Sequence, residues 1–231
     1  MEICVIDTLE QIARSEGAVS FGVADLAQVE TSDFLLDAGV LRDLPVALSI
    51  AVPVSVTVLS TIADHPNLLY FHHYRQLNNM LDRISLKLVQ ALESAGNRAL
   101  AIAASQIVDW KNQRAHLSHK RIAAAAGLGW IGRNNLLVTP RHGSQVRLAT
   151  VLTDARLPTS PATNAGCGDC HACVGVCPAG AIHKSAGEFD HQACFAQLKE
   201  FQKQGYVGQY VCGICVRACS ASSRSATDDH G

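Results

Sequence analysis

Eight of the nine cysteines in this 231-residue chain lie between Cys167 and Cys219, and the ninth, Cys4, stands alone near the N-terminus. Cys167, Cys170, Cys173 and Cys177, followed by Pro178, spell C-x2-C-x2-C-x3-C-P. At this spacing three thiolates wrap one face of a cubane 4Fe-4S cluster, while the fourth opens a helix and points to a second cluster. Pro178 suits that first helical turn, where its missing N–H costs nothing. A later set, Cys212, Cys215 and Cys219, has C-x2-C-x3-C spacing, with Cys194 before it, and reads as a degenerate copy in which Ser220 replaces the proline. In the pseudo-symmetric arrangement of such motifs, Cys219 completes the set Cys167, Cys170 and Cys173. Cys177 then completes the set Cys194, Cys212 and Cys215. The two sets consume all eight cysteines, and Cys4 remains as a core or surface thiol. The competing reading, structural zinc, calls for paired C-x2-C knuckles around a tetrahedral site rather than this run. His171 and His183 lie near the cysteines and read as solvated side chains.

Two clusters in series make a path for single electrons from a surface donor to a buried acceptor. The rest of the chain is therefore expected to hold that acceptor. Apolar residues at 48% and charged residues at 17% indicate a chain that buries a real core. No apolar run reaches the roughly 18 residues of a spanning helix, so no membrane partner is expected. The formal net charge of -1 and the absence of a Lys/Arg block argue against nonspecific nucleic-acid binding by charge alone. Residues 1–10 carry Glu2 and Asp7 and have no basic region or small-residue cleavage site, so a cytoplasmic protein with reduced thiols is expected.

Composition places a linker over Leu157–Ala165, LPTSPATNA. The expected domains are an α/β core over 1–156, a ferredoxin-like double 4Fe-4S domain over 166–220 and a disordered tail over 221–231. In the core, helix is expected over Asp7–Ser15 and strand over Val19–Ala24 and Val46–Val56. The strongest helix spans Tyr70–Ala95, where Leu77, Leu81, Ile84, Leu88 and Leu92 recur at three- and four-residue steps and Gly96 supplies a stop. A short strand is expected over Ala99–Ala104, and a short helix over Ser118–Ala126 with Ser118 as N-cap and Gly127 as stop. Leu136–Thr139 and Val146–Thr153 flank the turn residues Pro140–Ser144 and read as a hairpin. His65, His72 and His73 read as surface residues.

The segment Ser118–Ser144, SHKRIAAAAGLGWIGRNNLLVTPRHGS, runs on through VRLATVLTDARLP into the cysteines. In its order of an AGLGWIG turn, a G-S hairpin, an L-T-D strand end and the two cysteine motifs, the stretch from Ser118 to Cys219 resembles the epoxyqueuosine reductases and their shorter relatives. These share a corrinoid-binding core with the reductive dehalogenases. The resemblance implies an α+β architecture, with a nitroreductase-like α/β core that holds a cobalamin, followed by a small ferredoxin-like domain that reduces it. It also implies an electron donor of ferredoxin, flavodoxin or reductase type, and tRNA as a family-level substrate. The tRNA-modifying members carry a helical-repeat domain after the clusters, whereas here only residues 220–231 follow Cys219.

On this resemblance Gly127, Gly129, Trp130, Gly132, Arg133 and Asn134 are the expected cofactor-binding residues. Glycines at a helix exit let backbone approach a planar ligand. The structural alternative is a turn with Trp130 as a core plug. The family's acidic proton donor lies shortly before the AGLGW turn. Here Asp109 is its candidate, displaced by an insertion, and His119, beside His116 and Lys120, is a second candidate acid. A helix start with solvated His and Lys is the other reading of that neighbourhood. The function expected overall is an iron-sulfur oxidoreductase that passes electrons through two clusters to a bound corrinoid or substrate. The alternative is an electron-transfer or corrinoid-activating partner protein.

Overall fold

A computed structural model of the chain describes residues 5–220. Cys4 and the expected tail at 221–231 lie outside them. The architecture is mixed α/β, and the chain divides into two compact units interleaved in sequence. The first comprises the chain up to Val52, Leu77–Gly129 and Arg147–Thr163. The second gathers Pro53–Gln76, Trp130–Val146 and the residues from Asn164 onward. Among the described residues no helix is long and apolar enough to cross a membrane.

The first unit is built on a four-stranded sheet in the order β1-β2-β6-β3, formed by β1 (Ser20–Asp25), β2 (Val46–Pro53), β3 (Ala99–Ile102) and β6 (Val146–Thr153). The central strands β2 and β6 are the two long apolar runs, and nearly every residue in them is buried. That is the pattern of strands covered on both faces. β1 runs antiparallel to β2 with Val23 opposite Leu48, and β3 antiparallel to β6 with Leu100 opposite Leu152. The free edge of β1 is covered by the proline-containing segment expected as a linker: the Ser160 N–H donates to the Val23 carbonyl at 2.8 Å, and the Val23 N–H donates to Ser160 Oγ at 3.0 Å. Pairing an edge strand in this way removes its exposed donors and acceptors.

Helix α1 (Val5–Ser15) buries Leu9 and Ala13, one turn apart, and packs on β1, and the short helix α2 (Ala38–Asp43) precedes β2. The long helix α4 (Leu68–Ser94) buries Leu77, Leu81, Ile84, Leu88 and Leu92, as its periodicity predicts. Its first turns belong to the second unit and the remainder to the first. The helix closes where Gly96 adopts a φ of +83° and the Asn97 N–H reaches back to the Leu92 carbonyl at 3.0 Å. On its polar face Arg83 and Lys87 both pair with Glu16. Helix α5 (His119–Ala125) packs on β1, where Gly22 leaves room for the Ala126 carbonyl. Ser118 occupies its N-cap position, but its side chain makes no capping bond. Arg121 instead fixes the helix start, through a two-point pair with Asp33 at 2.5 and 2.7 Å.

The expected hairpin between Leu136–Thr139 and Val146–Thr153 closes only as a turn, at the Thr139–Gly143 bridge, and its two strands do not pair with each other. β5 (Leu137–Val138) pairs instead with β4 (Trp130–Ile131), Trp130 opposite Val138, in a two-stranded sheet of the second unit. A tight turn explains the exchange: the Gly132 N–H donates to the Leu136 carbonyl at 2.9 Å, and Asn135 takes the left-handed φ of +56° that asparagine tolerates. The long apolar strand β6 meanwhile finds partners on both sides in the larger sheet.

The second unit also contains α3 (Val56–Ser60), α6 (His191–Lys203) and α7 (Ile214–Ala218), with α3 packed on α7. Two of these helices start on a side-chain cap: Ser55 accepts from the Val58 N–H, and Asp190 accepts from the Ala193 N–H. Of the histidines read as surface residues, His72 is exposed, whereas His73 is half-buried and its Nε2 accepts from the Ser55 N–H at 3.0 Å. His65 stacks on Tyr206, with ring centroids 4.0 Å apart.

Candidate metal centres

All eight described cysteines are free thiols. Cys167, Cys170, Cys173 and Cys219 line one cavity together with Arg133, Asn134 and Val138. Burial, then the charges of Cys219, Cys167 and Cys170, push the Cys173 thiol up to about 11. The other four converge elsewhere in the unit. Cys194 and Cys212 are each pushed up to about 11 by burial and by neighbours in the set, and Cys215 well above the usual thiol value by burial, then Cys212, Cys194 and Cys177.

The burial of these thiols bears on what they can hold. Burial opposes ionisation of Cys173, Cys194, Cys212 and Cys215, and a cationic metal among them would favour their thiolates. Among the described residues no three His, Cys, Asp or Glu side chains are placed to hold a single metal ion. A thiol ring around a cavity fits a cubane, whose four irons each take one cysteine at a corner.

Several contacts that hold this ring are absent from the sequence motifs. The Ser144 N–H donates to the Cys219 carbonyl at 3.1 Å. Gly143, at a φ of +58°, is packed so closely on that carbonyl that a Cβ would overlap it. Buried Asn134 donates to Ser144 Oγ at 3.0 Å, tying the 132–136 turn to the same loop. Gln145 Nε2 donates to the Arg217 carbonyl at 3.1 Å, and the Arg217 guanidinium donates to the Ile62 carbonyl, so α7 and its terminal Cys219 are fixed from two sides. Gly213, at a φ of +81° between Cys212 and Cys215, lies under the Tyr70 ring and has no room for a side chain. Gly143 is visible in the sequence only as a turn residue, and no local pattern connects it to Cys219.

The other candidate site residues fall in both units. Gly127 and Gly129 belong to the first unit, and Trp130, Gly132, Arg133 and Asn134 to the second. Gly127 has a φ of +75° and abuts the Pro161 carbonyl, while its own carbonyl accepts from Thr163 Oγ1 at 2.8 Å. Gly129 is buried. Trp130 Nε1 donates to Cys167 Sγ at 3.5 Å, Gly132 packs against Val138 and Cys167 Sγ, and Arg133 Nη2 donates to the Gly168 carbonyl at 2.8 Å. The side chains of Trp130 and Arg133 thus face the thiol ring.

Asp109 and His119 spend their hydrogen bonds on separate partners in the first unit. Asp109 sits in a short loop closed by its bridge to Arg114. Its carboxylate accepts from the Lys111 and Asn112 N–H groups and from Asn112 Nδ2, and the Asn112 side chain holds it below the usual carboxylate range. His119 Nε2 faces the Ala103 carbonyl at 2.9 Å, and its Nδ1 faces Thr150 Oγ1 at 2.8 Å. A carbonyl only accepts, so Nε2 carries the proton and Nδ1 accepts from the hydroxyl. Burial pushes this imidazole down to about 4, so it is neutral near pH 7. Burial likewise lowers Lys120 to about 8. His171 Nδ1 donates to the Asp169 carbonyl at 2.7 Å, and His183 is exposed.

Comparison with known proteins agrees with this geometry. A family model described as a 4Fe-4S double cluster binding domain matches residues 166–222. The epoxyqueuosine reductase of Bacillus anthracis is 33% identical over 111 residues, 45% of this chain and 29% of that protein. Among solved structures, epoxyqueuosine reductase from Streptococcus thermophilus matches 92% of this chain and 64% of its own at a TM-score of 0.62 and 18% identity. A reductive dehalogenase described in terms of B12-dependent dehalogenation matches 95% of this chain and 33% of its own at a TM-score of 0.71 and 15% identity. These two identities carry the fold alone. The chain spans about a third of the length of the curated relatives it matches first. With two thiol sets and an α/β core, the chain is similar over about half its length to the epoxyqueuosine reductases, and its residues 166–222 match a 4Fe-4S double cluster binding domain.

Proposed function

We propose that this protein is an iron-sulfur reductase that takes single electrons from a low-potential donor of ferredoxin or flavodoxin type and delivers them through two 4Fe-4S clusters to an acceptor held by its α/β core. The observation that carries this reading is the division of eight thiols into two sets of four. In it, Cys167, Cys170, Cys173 and Cys219 hold one cluster, and Cys177, Cys194, Cys212 and Cys215 hold the other. The reading includes a nitroreductase-like core and a ferredoxin-like cluster domain, the architecture the resemblance implies, working in the cytoplasm.

A corrinoid is the acceptor named by the resemblance and by the B12-dependent neighbour. The residues expected to touch it are engaged otherwise: Gly127 is covered by Pro161, Asn134 is bonded to Ser144, and Trp130 and Arg133 face thiols. These side chains do not form a free cradle for a macrocycle, so no role toward a corrinoid is assigned to them. One epoxyqueuosine reductase of the same fold has been solved with a modified tRNA stem loop. A tRNA substrate here would need recognition by shape and local contacts, since the net charge of -1 supplies little general attraction. For the proton that two-electron reduction consumes, Asp109 and His119 are the two candidates; the Asp109 carboxylate accepts from Lys111 and Asn112 and is held below the usual carboxylate range, and both His119 nitrogens are bound internally.

Anaerobic reconstitution with iron, sulfide and a cobalamin, followed by desalting and metal analysis, tests the proposal. Close to eight irons and one cobalt per chain would support a corrinoid-dependent reductase. Eight irons without cobalt would replace the corrinoid with another acceptor, and fewer than four irons would overturn the reading.

A further inference from the structure

The two thiol sets have different electrostatic surroundings. Around the first, the short strand β4 and the turn after it present two donors. Trp130 Nε1 points at Cys167 Sγ at 3.5 Å. Arg133 lines the same cavity as Cys167, Cys170, Cys173 and Cys219, and its Nη2 is anchored on the Gly168 carbonyl. Its Nε is buried and has no hydrogen-bond partner among the described residues. A buried guanidinium N–H without an acceptor is costly. It is explained if the acceptor is an anion seated in the cavity, and a cluster with four thiolates and bridging sulfides is such an anion. Gly132, between the two donors, allows the approach, because a Cβ there would press on Val138 and reach Cys167 Sγ at 3.4 Å. Beside the second set stands a carboxylate: Asp190 caps α6 by accepting from the Ala193 N–H, and its backbone carbonyl accepts from the Cys194 N–H at 3.1 Å.

Reduction adds one negative charge to a cluster. A cation and an N–H donor at its sulfurs stabilise that charge, and a neighbouring carboxylate opposes it. From this asymmetry we propose that Trp130 and Arg133 act as positioning residues that raise the reduction potential of the cluster held by Cys167, Cys170, Cys173 and Cys219 above that of its neighbour. An electron supplied by a low-potential one-electron donor then leaves the set of Cys177, Cys194, Cys212 and Cys215, which is reoxidised, and comes to rest on the first set. The inference rests on the proposed 4Fe-4S occupancy of both sets and adds a direction to it.

The test is an anaerobic redox titration followed by electron paramagnetic resonance, with dithionite as reductant, on the wild-type protein and on Trp130→Phe, Arg133→Gln and Arg133→Lys. A Cys194→Ser variant identifies which signal belongs to the first set. Trp130→Phe removes the N–H, and Arg133→Gln removes the charge while keeping a donor for Gly168. Each should lower the midpoint of the first-set signal, so that electron transfer from the second set to the first loses about threefold to tenfold in equilibrium constant, as for loss of one charge-assisted hydrogen bond. Arg133→Lys should fall between wild type and Arg133→Gln. Unchanged midpoints, or equal shifts in both signals, would overturn the inference while leaving the eight irons in place. Absence of 4Fe-4S signals from wild type would instead remove the reading beneath it. A measurement on the unsubstituted chain guards against variants that lose iron. With 15N-indole tryptophan incorporated, pulsed resonance of the reduced protein should show a nitrogen coupling that Trp110→Phe retains, and a spectrum without that coupling overturns the assignment of Trp130.

Discussion

The carbonyl oxygen of Cys219 rests directly on the α-carbon face of Gly143, in space that any side chain at 143 would fill, while the neighbouring Ser144 N–H donates to the same oxygen. The last cysteine of the chain is thus located by a turn more than seventy residues earlier.

Replacing Gly143 by alanine should therefore unseat Cys219 and cost one cluster. The expected outcome is close to four irons per reconstituted chain instead of eight, with the second-set signal intact. Gly96→Ala is the matched control: it shares a positive φ but faces open space, so it should lose only about 1 kcal/mol of stability and keep its full iron content. Iron analysis of both variants decides the matter, since equal loss would mean that backbone conformation alone is responsible.

Serine substitutions should show two non-additive groups. Cys173→Ser and Cys219→Ser combined should lose no more iron than either one separately, because both strip the same cluster. Cys173→Ser combined with Cys194→Ser should leave the protein nearly iron-free. If the first pair proved as damaging as the second, the division of the thiols into these sets would be wrong.

His119 predicts a pH dependence of the helix it begins. Its folded pKa of about 4 lies below the unfolded value near 6.5, so between these values the unfolded chain binds more protons. Stability from this group is present above pH 6.5 and drains away as pH falls toward 4. From pH 7.5 to 5.5 the opening free energy of α5 should drop by about 1 kcal/mol, read as hydrogen exchange after correction for the intrinsic rate. His119→Gln should flatten that slope. A slope that persists in the variant would assign the effect to other groups.

Leu88, fully buried in α4, tests the core of the first unit. Leu88→Ala should destabilise by about 2–5 kcal/mol through lost burial and the cavity left behind. Leu86→Ala, on the exposed face two residues earlier, should change stability by less than about 0.5 kcal/mol. Anaerobic thermal melts of the two variants provide the comparison.

Local patterns were legible because local physics produces them. The three- and four-residue steps from Leu77 to Leu92 specify a buried helix face, and the apolar runs at Val46–Pro53 and Val146–Thr153 specify strands. The C-x2-C and C-x3-C spacings specify where thiols can reach a common cluster, since each depends on a few residues of backbone. The hairpin reading failed for a related reason: turn residues at 140–144 permit a reversal, but whether β5 then pairs with β6 or with β4 depends on competition among strands that no window of sequence contains. Tertiary structure alone decided that Pro53–Gln76 and Trp130–Val146 join the cysteine-bearing unit, that Trp130 and Arg133 turn toward Cys167, and that Gly143 abuts Cys219. The physical reason is common to all three: each arises from packing between segments distant in the chain, where shape and unsatisfied hydrogen bonds choose the partner and the sequence pattern nearby is the same whichever partner is chosen.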